Sequence, residues 1–170
     1  MTCPSIVRVA GPADHQEIWR LFLQGYRENG QFSLAPEKVE WFISRALYPE
    51  TIPPWDAGIR GVIGVIGDVG ALEAVTFVCI GSMWYSHDKY LEEYIIFVDP
   101  ECRRSFHARA LIKWLKERSE QTMLPLLTGP VSNIRTEAKI SLYNRMLPKL
   151  GEYFLYRPGA LAASSTSCAA

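Results

Sequence analysis

Val98-Asp99-Pro100-Glu101-Cys102-Arg103-Arg104-Ser105-Phe106-His107-Ala108-Arg109-Ala110-Leu111 joins an apolar, β-branched run to a helical stripe. The run, Tyr90–Val98, reads as a strand. The stripe is Ala108, Leu111, Ile112 and Leu115, with Lys113, Lys116, Glu117 and Arg118 on the opposite side. Asp99-Pro100-Glu101 is expected to end the strand and open the helix. Such a junction aims several unpaired backbone N–H groups and the positive end of a helix at one spot, which suits a pyrophosphate. Arg103, Arg104 and Arg109 add positive charge, and Ser105 a hydroxyl. An ordinary junction with solvated arginines has the same residues, so the local pattern leaves both readings open.

Working outward, Gly61–Gly67 and Ala71–Tyr85, split by Asp68-Val69-Gly70, predict a hairpin. A second turn at His87-Asp88-Lys89 makes Tyr90–Val98 the third strand of a meander. The glycines of the first strand lack the spacing and the following helix of a dinucleotide fingerprint. Further upstream, Ser5–Ala10 reads as a strand broken by Gly11-Pro12-Ala13-Asp14. Ile18, Leu21, Phe22 and Gly25 predict a helix from His15 to about Arg27, and Val39, Phe42, Ile43 and Ala46 a second over Pro36–Leu47. Tyr48–Arg60, with Pro49, Pro53 and Pro54, reads as an irregular connection.

Downstream, Leu124–Leu127 is a short strand, parallel to Tyr90–Val98 if the helix between them crosses over with the usual hand. Thr136–Leu147 is a helix stopped by Pro148, and Gly151–Tyr156 a last aromatic strand. The expectation is one mixed α/β domain over residues 1–157, with antiparallel strands first and one parallel βαβ step. Residues 158–170, rich in Ala, Ser and Thr, are expected to form a disordered tail.

Composition removes several classes. The 170 residues suit a single domain, and 48% hydrophobic content is too high for a disordered chain. No run approaches the ~18 apolar residues of a membrane span. Met-Thr-Cys-Pro-Ser lacks a signal-peptide pattern, so a cytoplasmic location is expected. Eighteen basic and eighteen acidic residues give no footprint for sequence-independent nucleic-acid binding. Cys3, Cys79, Cys102 and Cys168 form no CxxC pair and have no His at ligand spacing, so neither a zinc site nor a disulfide framework is expected. Cys79 reads as a core residue.

The element order and the junction resemble the GNAT superfamily of N-acetyltransferases. Members carry Arg/Gln-x-x-Gly-x-Gly/Ala after their fourth strand. The corresponding residues here run from Arg103 to Ala108, led by Val98-Asp99-Pro100 and followed by Arg109-Ala110-Leu111. Arg103 and Ala108 match, and Phe106 stands at a glycine position. Val7–Asp14 is similar to the family's first strand and its Pro-Ala-Asp step into a helix. Leu142-Tyr143, with Gly151-Glu152-Tyr153-Phe154, is similar to its C-terminal helix and the aromatic stretch beyond. The interval between those two motifs is about one helical turn longer than usual, and the usual Asn position falls on Thr136. The resemblance runs from residue 5 to about residue 156.

It implies an N-acyltransferase that moves an acetyl group from acetyl-CoA directly to an amine, with no metal. Backbone groups of Ile96, Phe97 and Val98 would bind the pantetheine arm like an added strand. Arg103, Arg104, Ser105, His107, Ala108 and Arg109 would hold the pyrophosphate. Tyr143 matches the tyrosine that reprotonates the leaving thiolate, and Glu92 or Glu93 is the general base. Strand neighbours face opposite sides, so only one carboxylate is expected in the cleft. Distance from Arg103 favours Glu92. Solvated acids and a packed tyrosine are the ordinary alternatives.

The implied partner is a small-molecule or protein amine, with no membrane or nucleic-acid partner; a homodimer is compatible. The rival reading is a non-catalytic GNAT-like binding or structural protein, of the kind phage genomes also carry, motivated by Phe106 and the displaced C-terminal motif. A nucleobase-modifying enzyme is a third reading, and needs a basic cleft that the composition does not announce. His15 and His87 are expected to be exposed, and His107 to lie near the cofactor or face outward. Trp41, Trp55, Trp84 and Tyr85 fit either an acceptor site between the second helix and the meander or a core.

Overall fold

The computed structural model of the chain describes residues 6–52, 61–151 and 154–155. β-Branched runs and a glycine turn build the centre of the sheet. β2 (Gly61–Asp68) and β3 (Ala71–Ser82) form an antiparallel hairpin whose turn places Gly70 at φ +85°, in backbone space that favours glycine. β4 (Lys89–Val98) continues the meander. β1 (Arg8–Val9) pairs antiparallel with β2, and β5 (Leu126–Leu127) pairs parallel with β4, giving the order β1-β2-β3-β4-β5. The expected mixed sheet with one parallel step is observed. Between β4 and β5 runs α3 (His107–Thr122), the crossover that a parallel pair requires.

Each face of the sheet has its own core. α1 (His15–Asn29) and α2 (Pro36–Leu47) place Ile18, Leu21, Ile43 and Leu47 against Val65, Val75, Phe77 and Phe97. On the other face α3 buries Leu111, Trp114 and Leu115 against Ile66, Ala74, Val78 and Leu91. Gly64 makes room for the Trp114 ring, which would lie 2.9 Å from a Cβ at that position. Cys79 is a core residue, as expected, and burial pushes its thiol up to about 12.

Polar clamps fix how α1 meets the sheet. Asp14, buried just before α1, accepts two 2.7 Å hydrogen bonds from Arg8 of β1, which hold its carboxyl below the usual range. Arg20 donates to Asp99 at 2.7 Å and to the Leu72 carbonyl at 2.8 Å, tying α1 to the end of β4.

Several boundaries differ from expectation, β1 and β5 both being shorter, at Arg8–Val9 and Leu126–Leu127. α3 starts at His107, because Pro100–Cys102 forms a separate 3-10 turn. β3 stops at Ser82, ahead of the exposed pair Trp84 and Tyr85. Gly151, Phe154 and Leu155 belong to no strand, and Phe154 is 90% exposed; the two-residue β5 offers little edge for another strand to join. Trp55, Glu152, Tyr153 and the tail at 158–170 lie outside the described residues. Among those described, no helix is long and apolar enough to cross a membrane.

Candidate functional site

β5 pairs with β4 only at Leu91↔Leu126 and Glu92↔Leu127, after which the two strands part. A cavity of about 920 Å³ fills the opening, walled by α1, the edge of β4, the start of α3 and α4 (Thr136–Met146).

The free edge of β4 has a defined polarity. The Asp99 N–H donates to the Glu73 carbonyl on the β3 side at 2.8 Å. By antiparallel alternation, the peptide groups of Ile96 and Val98 turn toward the opening and those of Phe97 toward Val75. The backbone of Phe97 therefore belongs to the sheet ladder, while its ring packs in the core and also borders the cavity.

The junction folds through consecutive tight turns. Asp99 accepts from the Glu101 N–H through its carboxylate (3.1 Å) and from the Cys102 N–H through its carbonyl (2.8 Å), and the Ser105 N–H donates to the Cys102 carbonyl at 3.0 Å. Ser105 Oγ accepts from the His107 N–H at 3.2 Å, leaving the next first-turn N–H groups, of Ala108 and Arg109, without helical acceptors. Phe106 is the N-cap of α3 at φ −90°, backbone that any residue adopts, and its ring is 62% exposed at the cavity rim. Glycine is not required there.

Arg103, Ser105, Ala108 and Arg109 line the cavity. Arg104 is exposed outside it. His107 also lies outside, a correction with a simple cause: as the first residue of α3 it is buried and turns its imidazole to Glu73 of β3. Arg103 is already engaged. Its Nη2 pairs with the Glu28 carboxylate of α1 at 2.5 and 2.6 Å, its Nε donates to the Val98 carbonyl, and its guanidinium lies over the Phe97 ring.

At the inner end, Glu92 and Glu93 both border the cavity, against the expectation of one. The cleft opens along an edge of the strand rather than over one face, so alternation does not exclude either. Glu93 is the better placed for chemistry. Its Oε2 accepts from Thr128 Oγ1 at 2.7 Å and from the Tyr143 hydroxyl at 3.4 Å. Burial pushes its carboxyl up to about 7, against the opposing pull of the Thr128, Tyr143 and Gly129 hydrogen bonds. Burial, then the charge of Glu93, raises the Tyr143 phenol well above its usual range. Lys139 also lines the cavity, donating to Ser132 Oγ at 2.6 Å, and burial lowers its pKa. The signal for it is its i, i+4 relation to Tyr143 on α4; nothing comparable points to Thr128.

The other aromatic and histidine candidates fall elsewhere. Trp41, Trp84 and Tyr85 are exposed and line no part of the cavity. His87 is exposed, whereas His15 is partly buried and pairs with Glu40 at 2.8 Å.

The parallel pair is split, a carboxyl–phenol pair lies at the inner end of the opening, and a helix N-terminus borders it. No protein-family profile and no curated protein matches the sequence. Solved structures do match. A ribosomal-protein-alanine N-acetyltransferase from Brucella melitensis biovar Abortus 2308 superposes with TM-score 0.62 at 13% identity, over 92% of this chain and 100% of that one. A predicted acetyltransferase with acetyl-CoA from Clostridium acetobutylicum gives 0.67 at 8% identity, over 91% and 96%. An aminoglycoside acetyltransferase from an uncultured soil metagenomic sample gives 0.63 at 13%, over 92% and 99%. The chain has the GNAT fold, in a divergent form.

Proposed function

We propose that the chain is an N-acyltransferase that moves an acetyl group from acetyl-CoA to an amine by direct transfer. The observation that carries this reading is the Glu93–Tyr143 pair, desolvated at the inner end of a cleft that also takes in the open edge of β4 and the start of α3. The residues fit the donor. Peptide groups of Ile96 and the N–H of Val98 turn toward the opening and suit the pantetheine amides, while the Val98 carbonyl already accepts from Arg103 Nε at 3.3 Å. The Ala108 and Arg109 N–H groups, with the side chains of Arg103, Ser105 and Arg109, suit the pyrophosphate. Arg104 contributes only long-range charge.

When bound, acetyl-CoA supplies a thioester whose carbonyl carbon is open to attack. Glu93, close to half ionised near neutral pH, takes one proton from the ammonium form of the acceptor. Glu93 thus replaces Glu92 as the favoured base. As the new N–C bond forms and the C–S bond breaks, the Tyr143 hydroxyl donates its proton to the departing sulfur. The acceptor nitrogen's second proton restores the phenol, and Glu93 passes its own to solvent. One proton is released per turnover. The acceptor class remains an amine of a small molecule or a protein.

A non-catalytic GNAT-like binding protein is the second reading, and the Arg103–Glu28 ion pair favours it, since it occupies a guanidinium expected on the pyrophosphate. Calorimetric titration of acetyl-CoA into the full chain, beside Phe106→Gly, separates the two. Comparable, roughly micromolar binding by both proteins is expected, because the Phe106 ring points outward. Binding by the glycine variant alone supports the second reading, and binding by neither overturns the site.

A further inference from the structure

Beside the junction, on β3, a second group of reactive side chains meets outside the cavity. A bulge in β3 falls between the pairs Ile66↔Ala74 and Gly67↔Leu72, and Glu73 is its extra residue. Bulges re-aim side chains, and Glu73 is directed at the start of α3, where its Oε2 lies 2.5 Å from His107 Nε2. Cys102 closes the 3-10 turn five residues before His107. One ligand atom from each of Glu73, Cys102 and His107 lies within 4.8 Å of the other two.

We propose that Glu73, Cys102 and His107 bind a divalent cation of the zinc class, which pins the junction to β3. A thiolate, an imidazole nitrogen and a carboxylate oxygen are the three donor types zinc takes, with bonds of about 2.3 Å to sulfur and about 2.0–2.2 Å to nitrogen and oxygen. Tetrahedral ligands at those lengths stand roughly 3.3–3.8 Å apart. The observed spacing therefore needs side-chain rotation and an opening of the His107–Glu73 contact by about 1 Å, with no rebuilding of the backbone.

Burial and exposure divide in a useful way. The His107 side chain is 10% exposed and fixed by α3, whereas the Glu73 side chain is 47% exposed, leaving the fourth position open to water. Asp99 and Glu101 flank Cys102 in the same turn, where the Asp99 carboxylate accepts from the Glu101 N–H at 3.1 Å, and their negative charge attracts a dication. As the metal–sulfur bond forms, the Cys102 proton leaves to solvent. Sequence spacing hid the group because one ligand comes from a distant strand and Cys102-x4-His107 matches no common zinc motif.

The inference stands apart from acyl transfer, since metal binding is read without any substrate. Metal-free full chain is titrated with Zn²⁺ alone, and with Co²⁺ as a spectroscopic probe. One equivalent is expected to bind, Zn²⁺ to raise the Tm, and Co²⁺ to give a thiolate charge-transfer band. Cys102→Ser should abolish that band and weaken Zn²⁺ binding by at least about tenfold, the lower end of what even an outer-shell loss costs. Glu73→Gln, at a half-exposed side chain, should keep the fold by circular dichroism and weaken Zn²⁺ binding likewise. If Cys102→Ser fails to fold, Glu73→Gln decides. Absence of stoichiometric binding, a band that survives in folded Cys102→Ser, or unchanged affinity in Glu73→Gln overturns the proposal.

Discussion

α2 and α4 are nearly equal in length, twelve and eleven residues, yet they do opposite things. α2 buries Ile43 and Leu47 and packs onto the sheet beside α1, whereas α4 buries no residue fully. Lys139, Leu142 and Tyr143 on α4 face the cavity instead of a core. The α1–α2 side is therefore a scaffold, and the α4 side is where packing stops and polar groups collect. Desolvation without a full complement of partners moves the pKa values of Glu93, Tyr143 and Lys139, the behaviour expected of a site more than of a framework.

The largest break in that comparison is Glu93→Gln. Loss of a positioned base should lower turnover by about 10²–10⁴-fold. In the parent chain the rate should rise with pH through about 7 as Glu93 loses its proton, and the variant should lose that limb. Stability should move the other way. A carboxyl raised from its ordinary 4.5 to about 7 contributes stability that is complete below about pH 4.5 and lost as pH rises through 7. The variant should therefore gain relative to the parent in urea melts at about pH 8, and not at about pH 4. A variant with parental turnover removes Glu93 from the chemistry.

Stability alone gives the next contrast. Ile18→Ala, at a fully buried position of α1, should cost about 2–5 kcal/mol, the range for emptying a core site. Leu142→Ala, on the cavity wall, should cost under about 1 kcal/mol, because its side chain already lacks neighbours on one side. Urea unfolding of both checks this, and equal losses would mean that α4 is packed as tightly as α1.

The scaffold was far more legible than the site, for a physical reason. Periodicity reports burial, so the meander, the helices and the parallel step follow from patterns such as Ile18, Leu21 and Gly25. The site depends on single-residue irregularities that leave the apolar pattern unchanged. Counting back in twos from Val98 through Ile96 reaches Glu92. The bulge that makes Tyr94 an extra residue, between Phe77↔Ile95 and Val78↔Glu93, shifts the count so that Glu93 shares that face. Likewise the Asp99, Cys102 and Ser105 turns delay α3 to His107 through local polar bonds that no hydrophobic stripe announces. Phe106 lies at the junction that the sequence marks, but its backbone angles and outward ring depend on those turns.

Several contacts cross between scaffold and site, among them Lys139 to Asn29 and Arg103 to Glu28, and altering the second gives the smallest and sharpest change. Glu28 of α1 holds Arg103, and the two side chains are only 19% and 23% exposed. Glu28→Gln keeps the volume and one hydrogen-bond acceptor while removing the charge that competes with an anion for the guanidinium. Acetyl-CoA should then bind about 2–5-fold more tightly at low salt, on the scale of a partly exposed ion pair of up to ~1 kcal/mol. The gain should shrink as ionic strength rises and screening weakens the competing carboxylate in the parent. Unchanged or weaker binding in the calorimeter would show that Arg103 serves α1 rather than the pyrophosphate, and that the scaffold extends one residue further into the site than its packing suggests.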